Sequence, residues 1–267
     1  MLELYIIGKC GILYLNFYIL LTEGDYMKLA IFTDTFSPQI NGVTRTLDRL
    51  VMYLERYNIE YRIFAPAANN YKYDENKKEI IRLPGLDFFL YPELKIALPN
   101  YFKIKQELDQ FEPDLIHIIT PFNIGLCGLK YGKDNSIRTV SSYHTNFDSY
   151  LDYYNFNFIE NLYWKYLNWF HQLCEINYCP SRETRKQLKK RGITNLQIWG
   201  RGIDVNQFSP EYYSEKLKEN YGLQDKIVLL YVGRLAREKN LKLLFDSLKM
   251  LNRYYKKKKL KSLGLLD

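Results

Sequence analysis

The chain has 267 residues, 47% apolar and 25% charged, a globular composition that excludes a disordered tail. Its 38 Lys and Arg exceed its 30 Asp and Glu and give a net charge of +8, which favours anionic partners without selecting among nucleotides, phospholipid surfaces and nucleic acid. Four cysteines, with no Cys-x-x-Cys pair, indicate neither a zinc site nor a disulfide scaffold, so we expect reduced thiols and a cytoplasmic protein.

The N-terminal residues 1–26 precede any regular α/β pattern. Their apolar run, 12–21, is about half the length of a membrane-spanning helix, and neither a basic start nor a small-residue cleavage site accompanies it. A targeting segment is the alternative interpretation. We interpret residues 1–26 as a non-native extension and expect a chain that begins at Met27 to match the full chain in solubility and melting temperature.

From Met27 onward, strand and helix patterns alternate with short connections, which predicts a doubly wound α/β fold. The predicted strands of this part are 28–33, 60–65, 79–83, 115–119, 138–143, 176–179 and 196–198. The predicted helices are 43–57, 101–111, 124–130, 158–174 and 181–191. Residues 27–199 are therefore predicted to form a complete N-terminal Rossmann-like domain.

A linker is predicted at 200–210, GRGIDVNQFSP, because this stretch holds two glycines and a proline and little periodicity. Residues 211–267 begin a second α/β unit with helix 214–221, strand 226–232 and helix 241–254. A single strand has no sheet to join, so we expect this unit to be poorly ordered or to lean on the first domain.

Polar residues gather at the carboxyl ends of the predicted strands, where open parallel sheets bind ligands. Asp34 follows the first strand, and His144 and Thr145 follow the fifth. Asn41 and Gly42 precede a helix, where glycine and the helix N-terminus suit a phosphate, although a plain turn has the same pattern. The sequence contains neither a Gly-x-Gly-x-x-Gly fingerprint nor a Walker loop.

The three histidines differ in their sequence surroundings. His117 lies inside an apolar strand and is predicted to be a satisfied core residue. His171 lies on an aromatic helix and is predicted to face the core or an interface. His144 ends a strand in a Ser/Thr/Asn-rich loop, where burial is not expected and a switchable donor or acceptor is useful, so His144 is the functional candidate.

The segment 231–240, YVGRLAREKN, follows the strand of the second unit. Gly233, Arg234 and Lys239 would place two cations and a helix start together, an arrangement that suits phosphate. A solvated helix start is the alternative. No Asp-x-Asp pair follows Met27, so Arg and Lys would have to neutralise a diphosphate without a metal ion.

Four sequence blocks together resemble the family-4 retaining glycosyltransferases, enzymes of two facing Rossmann-like domains called the GT-B fold. The similarity is strongest to the bacterial branch that transfers mannose, glucose or a related sugar to a lipid. The blocks are FTDTFSPQINGV (32–43), SYHTNFDSY (142–150), RGID (201–204) with Phe208, and Gly233-Arg234 with Lys239.

The resemblance implies a role for each candidate. Gly42, Arg234 and Lys239 would bind the donor diphosphate, and His144 would lie at the transferred sugar; Asp34, Asn41, Thr145 and Gly233 would line the cleft. It implies a UDP- or GDP-hexose donor as substrate and a lipid or glycan acceptor. It implies neither a cofactor nor a metal ion. Peripheral contact with the inner face of an anionic plasma membrane is expected as well.

The second domain of that family continues with a Gly-rich strand end and a Glu-x7-Glu helix, which this sequence lacks; after Asn252 it turns lysine-rich. We therefore expect a truncated chain without activity of its own. One alternative is a non-catalytic remnant that binds an anionic membrane or a partner. Another is a nucleic-acid binder, for which the sequence shows no recognised module, so no nucleic-acid partner is expected.

Overall fold

The computed structural model describes residues 27–67, 78–87, 95–144, 160–200, 208–224, 226–233, 235, 239–254 and 260–262. The chain divides into two compact units: unit 1 comprises 1–146 and 159–202, and unit 2 comprises 147–158 and 203–267. The main part of unit 2 thus begins inside the predicted linker. The predicted N-terminal extension lies outside the described residues.

Unit 1 alternates strands and helices as the sequence predicts. Its strands are β1 (Lys28–Phe32), β2 (Glu60–Pro66), β3 (Ile80–Leu83), β4 (Gly85–Asp87), β5 (Lys95–Ala97), β6 (Leu115–Ile118), β7 (Arg138–Ser142), β8 (Ile176–Cys179) and β9 (Leu196–Ile198). Its helices are α1 (Gly42–Arg56), α2 (Tyr101–Phe111), α3 (Asn123–Asp134), α4 (Glu160–Gln172) and α5 (Arg182–Lys190). The antiparallel pair of β4 and β5 was not predicted.

Among the described residues, seven parallel strands form one sheet in the order β3-β2-β1-β6-β7-β8-β9. The strand order reverses between β1 and β6, and in such sheets this reversal opens a ligand crevice at the carboxyl ends of the two strands. The predicted α/β, Rossmann-like architecture is therefore confirmed.

The central strand β1 is apolar on both faces because helices cover both sides of the sheet. Leu29 and Ile31 pack in the core that contains α1, whereas Ala30 and Phe32 pack in the core that contains α2 and α3. The Phe32 ring stacks on Phe64 of β2 with a centroid distance of 4.7 Å. This two-sided burial is the reason that β1 is a continuous apolar run in the sequence.

Helix α3 approaches the sheet through three glycines. A Cβ atom on Gly125 would lie 2.2 Å from the Thr120 carbonyl oxygen, and one on Gly128 would lie 2.7 Å from the Phe32 ring. A Cβ on Gly132 would lie 2.3 Å from Thr139 Oγ1. The helix backbone therefore rests directly on β1, β6 and β7.

Unit 2 contains a 3-10 turn (Pro210–Tyr212), α6 (Glu215–Asn220), β10 (Ile227–Leu229), α7 (Leu241–Tyr254) and β11 (Leu260–Ser262). The prediction of an unpaired strand was wrong, because β10 pairs in parallel with β11. Helix α7 supplies the long crossover that a parallel pair needs. Within the described part of the chain, no helix is both long and apolar enough to span a bilayer.

Candidate functional site

The loop between β1 and α1 ends at Asn41, whose side chain caps the N-terminus of α1. The Oδ1 atom of Asn41 accepts the backbone N–H groups of Val43 and Thr44, both at 3.0 Å. Its Nδ2 atom donates to Thr35 Oγ1 at 2.7 Å. Asn41 is thereby engaged as the N-cap. Gly42 is exposed as the first residue of the helix.

Arg82 of β3 ties this loop to the edge of the sheet. Its guanidinium donates to the carbonyl oxygens of Ser37 (2.6 Å) and Pro66 (3.2 Å) and lies 5.3 Å from the Phe36 ring centroid. Ser37 in turn donates to Asp48 of α1 at 2.9 Å. These contacts hold the loop in a defined conformation. Arg82 is not among the site residues that the sequence predicts, although an arginine in a short apolar strand is a signal that could have indicated it.

Asp34 is buried at the reversal point between β1 and β6. The Thr120 hydroxyl accepts the Asp34 N–H at 2.7 Å and donates to its carboxylate at 2.6 Å. The Ile124 N–H also bonds this carboxylate. Helix α3 has no capping side chain at its N-cap, Phe122. Asp34 therefore supports the start of α3 from another strand, and burial raises its pKa to about 7.

We expect Asp34→Asn to change the pH dependence of stability. Because the folded-state pKa exceeds the ordinary value of 3.8, the native protein retains a proton that the unfolded chain releases as pH rises from 3.8 towards 7. The contribution of Asp34 to stability falls across this window by about 1.4 kcal/mol per pH unit. Urea unfolding at pH 4.5, 6 and 8 should show the variant gaining stability relative to the wild type.

The matched control for this experiment is Asp114→Asn, which changes an exposed carboxylate that accepts the Lys28 N–H. Buried His117 and His171 have lowered pKa values and give the opposite slope below pH 6.5, but they are present in every variant. If the free energy of unfolding of the wild type and of Asp34→Asn changed with pH in the same way, the raised pKa of the buried Asp34 carboxyl would be contradicted.

His144 follows β7 at the carboxyl edge of the sheet, as predicted, but it is only 9% exposed. The expectation that it would not be buried was therefore wrong. The physical reason is Trp199, which follows β9 and packs edge-to-face against the imidazole with ring centroids 5.1 Å apart. Position 145, also a predicted site residue (Thr145), lies outside the described residues.

The other two histidines lie in the core, as predicted, but His117 is not fully satisfied, because its buried Nδ1 atom has no hydrogen-bond partner among the described residues. His117 Nε2 lies 2.7 Å from Ser142 Oγ, and burial lowers the pKa of His117 to about 3. His171 Nδ1 lies 2.8 Å from Ser141 Oγ and 3.0 Å from Asn177 Oδ1, and burial lowers its pKa to about 4. Both are neutral at physiological pH.

The remaining predicted residues belong to unit 2. Gly233 and Lys239 are exposed, and Arg234 lies outside the described residues. A Cβ on Gly233 would lie 2.7 Å from the Tyr231 hydroxyl. Within unit 1, Asn41, Gly42 and His144 share the carboxyl edge of one sheet, where β6 alone separates β1 from β7, a span of about 10 Å.

A groove of about 530 Å³ lies at the opposite edge of the sheet of unit 1. It is lined by the first residues of β8 and β9 and by Arg185 and Lys189 of α5. Because ligands of such sheets bind at the carboxyl edge, we do not assign this groove to the site. In the described part of the chain, no group of three His, Cys, Asp or Glu side chains could hold a metal ion.

Residues 40–207 match the sequence profile of Glycosyltransferase Family 4. A GDP-mannose-dependent alpha-mannosyltransferase of Mycobacterium tuberculosis (strain CDC 1551 / Oshkosh) is 28% identical over 80% of this chain and 57% of its own length. The alpha-monoglucosyldiacylglycerol synthase of Streptococcus pneumoniae (strain ATCC BAA-255 / R6) is 30% identical over 80% of this chain and 50% of its own. The chain thus spans about half the length of these curated relatives.

Among solved structures, the chain resembles sucrose-phosphate synthase from Thermosynechococcus elongatus, with a TM-score of 0.59 and 13% identity over 90% of this chain and 71% of the other. At this identity the likeness concerns the fold alone, which is of the GT-B type. The family profile covers well over half of the chain, including Asn41 and Gly42 at the start of α1, His144 and the whole of β9. The chain belongs to glycosyltransferase family 4.

Proposed function

We propose that this chain provides the acceptor-side domain, and part of the donor-side domain, of a retaining glycosyltransferase. The enzyme would transfer a hexose from a UDP- or GDP-sugar to a lipid or glycan acceptor. The observation that carries the proposal is the placement of Gly42 and His144 at the carboxyl edge of the same parallel sheet. The named activities of the relatives support the substrate class.

The proposed chemistry depends on charge stabilisation of the departing diphosphate. The N-terminus of α1 carries a partial positive charge, and exposed Gly42 allows close approach of a phosphate to the backbone. Arg234 and Lys239 of the second unit would supply two full charges. Because these groups act without a metal ion in the proposal, they would provide the largest part of catalysis.

His144 would contact the transferred sugar. Its imidazole packs against Trp199 and is nearly buried, so the ring has little freedom to turn. An imidazole can donate one hydrogen bond and accept another in its neutral form. We propose that it binds a sugar hydroxyl and fixes the position of the ring carbon at which transfer occurs.

A lipid acceptor would place the enzyme at the cytoplasmic face of a membrane. Helix α2 supports such peripheral contact, because Phe102 is 82% exposed beside exposed Lys103, and Leu98 just before the helix is 57% exposed. Exposed apolar side chains next to lysine suit the surface of an anionic bilayer. The same observation favours the second candidate, a chain that binds an anionic membrane without catalysis.

The function can be tested with a chimera that joins residues 1–202 to the donor-side domain of the Streptococcus pneumoniae relative. The chimera should transfer labelled glucose or mannose from a nucleotide sugar to diacylglycerol vesicles. The relative itself, assayed in parallel, provides the reference. A chimera that folds and binds vesicles but forms no labelled lipid would favour the membrane-binding candidate instead.

The 267-residue chain by itself is expected to bind donors weakly and to lack transfer activity. Arg234 and Lys239 could supply two charge-assisted contacts of about 1.5–3 kcal/mol each. Ordering their segment costs about 1–2 kcal/mol per residue, and the neighbouring β10 residues Ile227 and Leu229 are exposed. Calorimetric titration with UDP-glucose and GDP-mannose measures the affinity, and Arg234→Ala with Lys239→Ala is the control. Micromolar binding that this double variant loses would contradict the expectation.

A further inference from the structure

Trp199 lies in unit 1 where several buried aromatic rings meet, and the proposed chemistry gives it no role. It is 2% exposed and directly follows β9. Its backbone N–H donates to the Cys179 carbonyl at 2.8 Å, which extends the pairing of β8 and β9 by one residue. The indole belongs to the same buried core as α1. Its backbone position is therefore fixed by the sheet.

The indole contacts aromatic rings from three other strands or strand ends. Its centroid lies 6.2 Å from Tyr178 of β8, 5.4 Å from His117 of β6 and 5.1 Å from His144 beyond β7. The His117 ring is itself held, because its Nε2 atom lies 2.7 Å from Ser142 Oγ. Trp199 thus packs between one histidine that the core holds in place and the histidine of the candidate site.

The contact with His144 restricts how that ring can turn. The two ring planes meet at 64°, the edge-to-face arrangement that aromatic pairs prefer. The terminal torsion of a histidine is broad in the absence of such a neighbour. A large, buried ring against the imidazole therefore selects one orientation from several that the backbone allows.

We propose that Trp199 is a positioning residue that holds the His144 imidazole in the orientation used for sugar transfer. The part of this inference that concerns transfer rests on the function proposed above. The part that concerns orientation rests on the geometry of unit 1 alone. Trp199 acts through His144 and does not itself contact the sugar.

Trp199 acts on His144 through its ring and not through a hydrogen bond from its indole N–H. Among the described residues, the Trp199 Nε1 atom has no hydrogen-bond partner. Trp199→Phe keeps an aromatic face and loses no hydrogen bond, whereas Trp199→Ala removes the face altogether. Leu54→Ala is the matched control, because Leu54 belongs to the same core but lies near the far end of α1.

The test uses the full chain labelled at histidine and tryptophan. Nuclear Overhauser contacts between the Trp199 and His144 rings are expected in the wild type, with His144 signals assigned from their loss in His144→Gln. In Trp199→Ala the His144 ring signals should lose the indole ring-current shift and broaden as several orientations become populated. Trp199→Phe should restore one sharp set, and Leu54→Ala should leave the wild-type signals unchanged.

Unchanged His144 signals in Trp199→Ala would overturn the proposal. If that variant does not fold, the absence of wild-type contacts between the two rings would also overturn it. In the chimera, Trp199→Ala should lower kcat at least about tenfold, and Trp199→Phe should recover most of it. An altered His144 spectrum with unchanged kcat would instead refute the role of His144 in transfer and leave its positioning by Trp199 intact.

Discussion

Replacing His144 by alanine is expected to lower kcat of the chimera at least about tenfold, which corresponds to roughly 1.4 kcal/mol of activation free energy. The reason is that the imidazole at the carboxyl edge would bind the sugar as charge develops during transfer, and alanine has no group that can replace it. Initial rates measured with both the donor and the diacylglycerol vesicles at saturating concentration give kcat.

His144→Gln provides a graded comparison, because its amide can still form hydrogen bonds from a similar position, and it should retain more activity than alanine. His144 is buried against Trp199, so melting curves of each variant are needed to separate lost chemistry from lost packing. Wild-type turnover in a folded His144→Ala chimera would remove His144 from the mechanism.

Replacing Gly125 by alanine is expected to destabilise unit 1, although alanine is the better helix former. Alanine gains about 1 kcal/mol of intrinsic helix propensity over glycine. Its Cβ would, however, lie 2.2 Å from the Thr120 carbonyl oxygen and 2.7 Å from Ile118 Cγ2, and the first of these is backbone that cannot turn away. Overpacking of this kind costs about 1–3 kcal/mol and sometimes more, so the urea midpoint should fall.

Lys133→Ala is the control on the same helix, because Lys133 is exposed and its truncation should change stability by less than about 0.5 kcal/mol. If Gly125→Ala proved as stable as the wild type, α3 would have to be able to shift away from β6 without any loss of stability. The close approach would then not contribute to the fold.

The elements that the sequence predicts well are those whose limits are set locally. Helix α2 has the predicted bounds because Asn100 caps it through the N–H groups of Phe102 and Lys103. For α3 the sequence predicts only residues 124–130, whereas the helix extends from Asn123 to Asp134. Part of its capping comes from Asp34, about 90 residues earlier in the chain, and a long-range contact of this kind has no local sequence signature.

The candidate site likewise combines features that are set by neighbouring residues in the sequence with features that are set by distant ones. The loop that ends in Asn41 and Gly42 is a local motif, and the structure places it at the start of α1 as predicted. The burial of His144 depends on Trp199, and the shape of the loop depends on Arg82 from an edge strand. Neither partner is near in sequence, so a single sequence gives the position of a site residue but not its surroundings.

The contact of α3 with the sheet also limits where unit 1 can move. Sliding between packed elements ordinarily proceeds by small side-chain adjustments at their interface. At Gly125, Gly128 and Gly132 the helix has no side chains to adjust, and the Thr120 carbonyl, the buried Phe32 ring and Thr139 Oγ1 face it directly. Helix α3 and strands β1, β6 and β7 should therefore move as one rigid body, and Asp34 at the start of that helix moves with them. Any flexibility that the site needs must come from the loops at the carboxyl edge of the sheet, outside this rigid body.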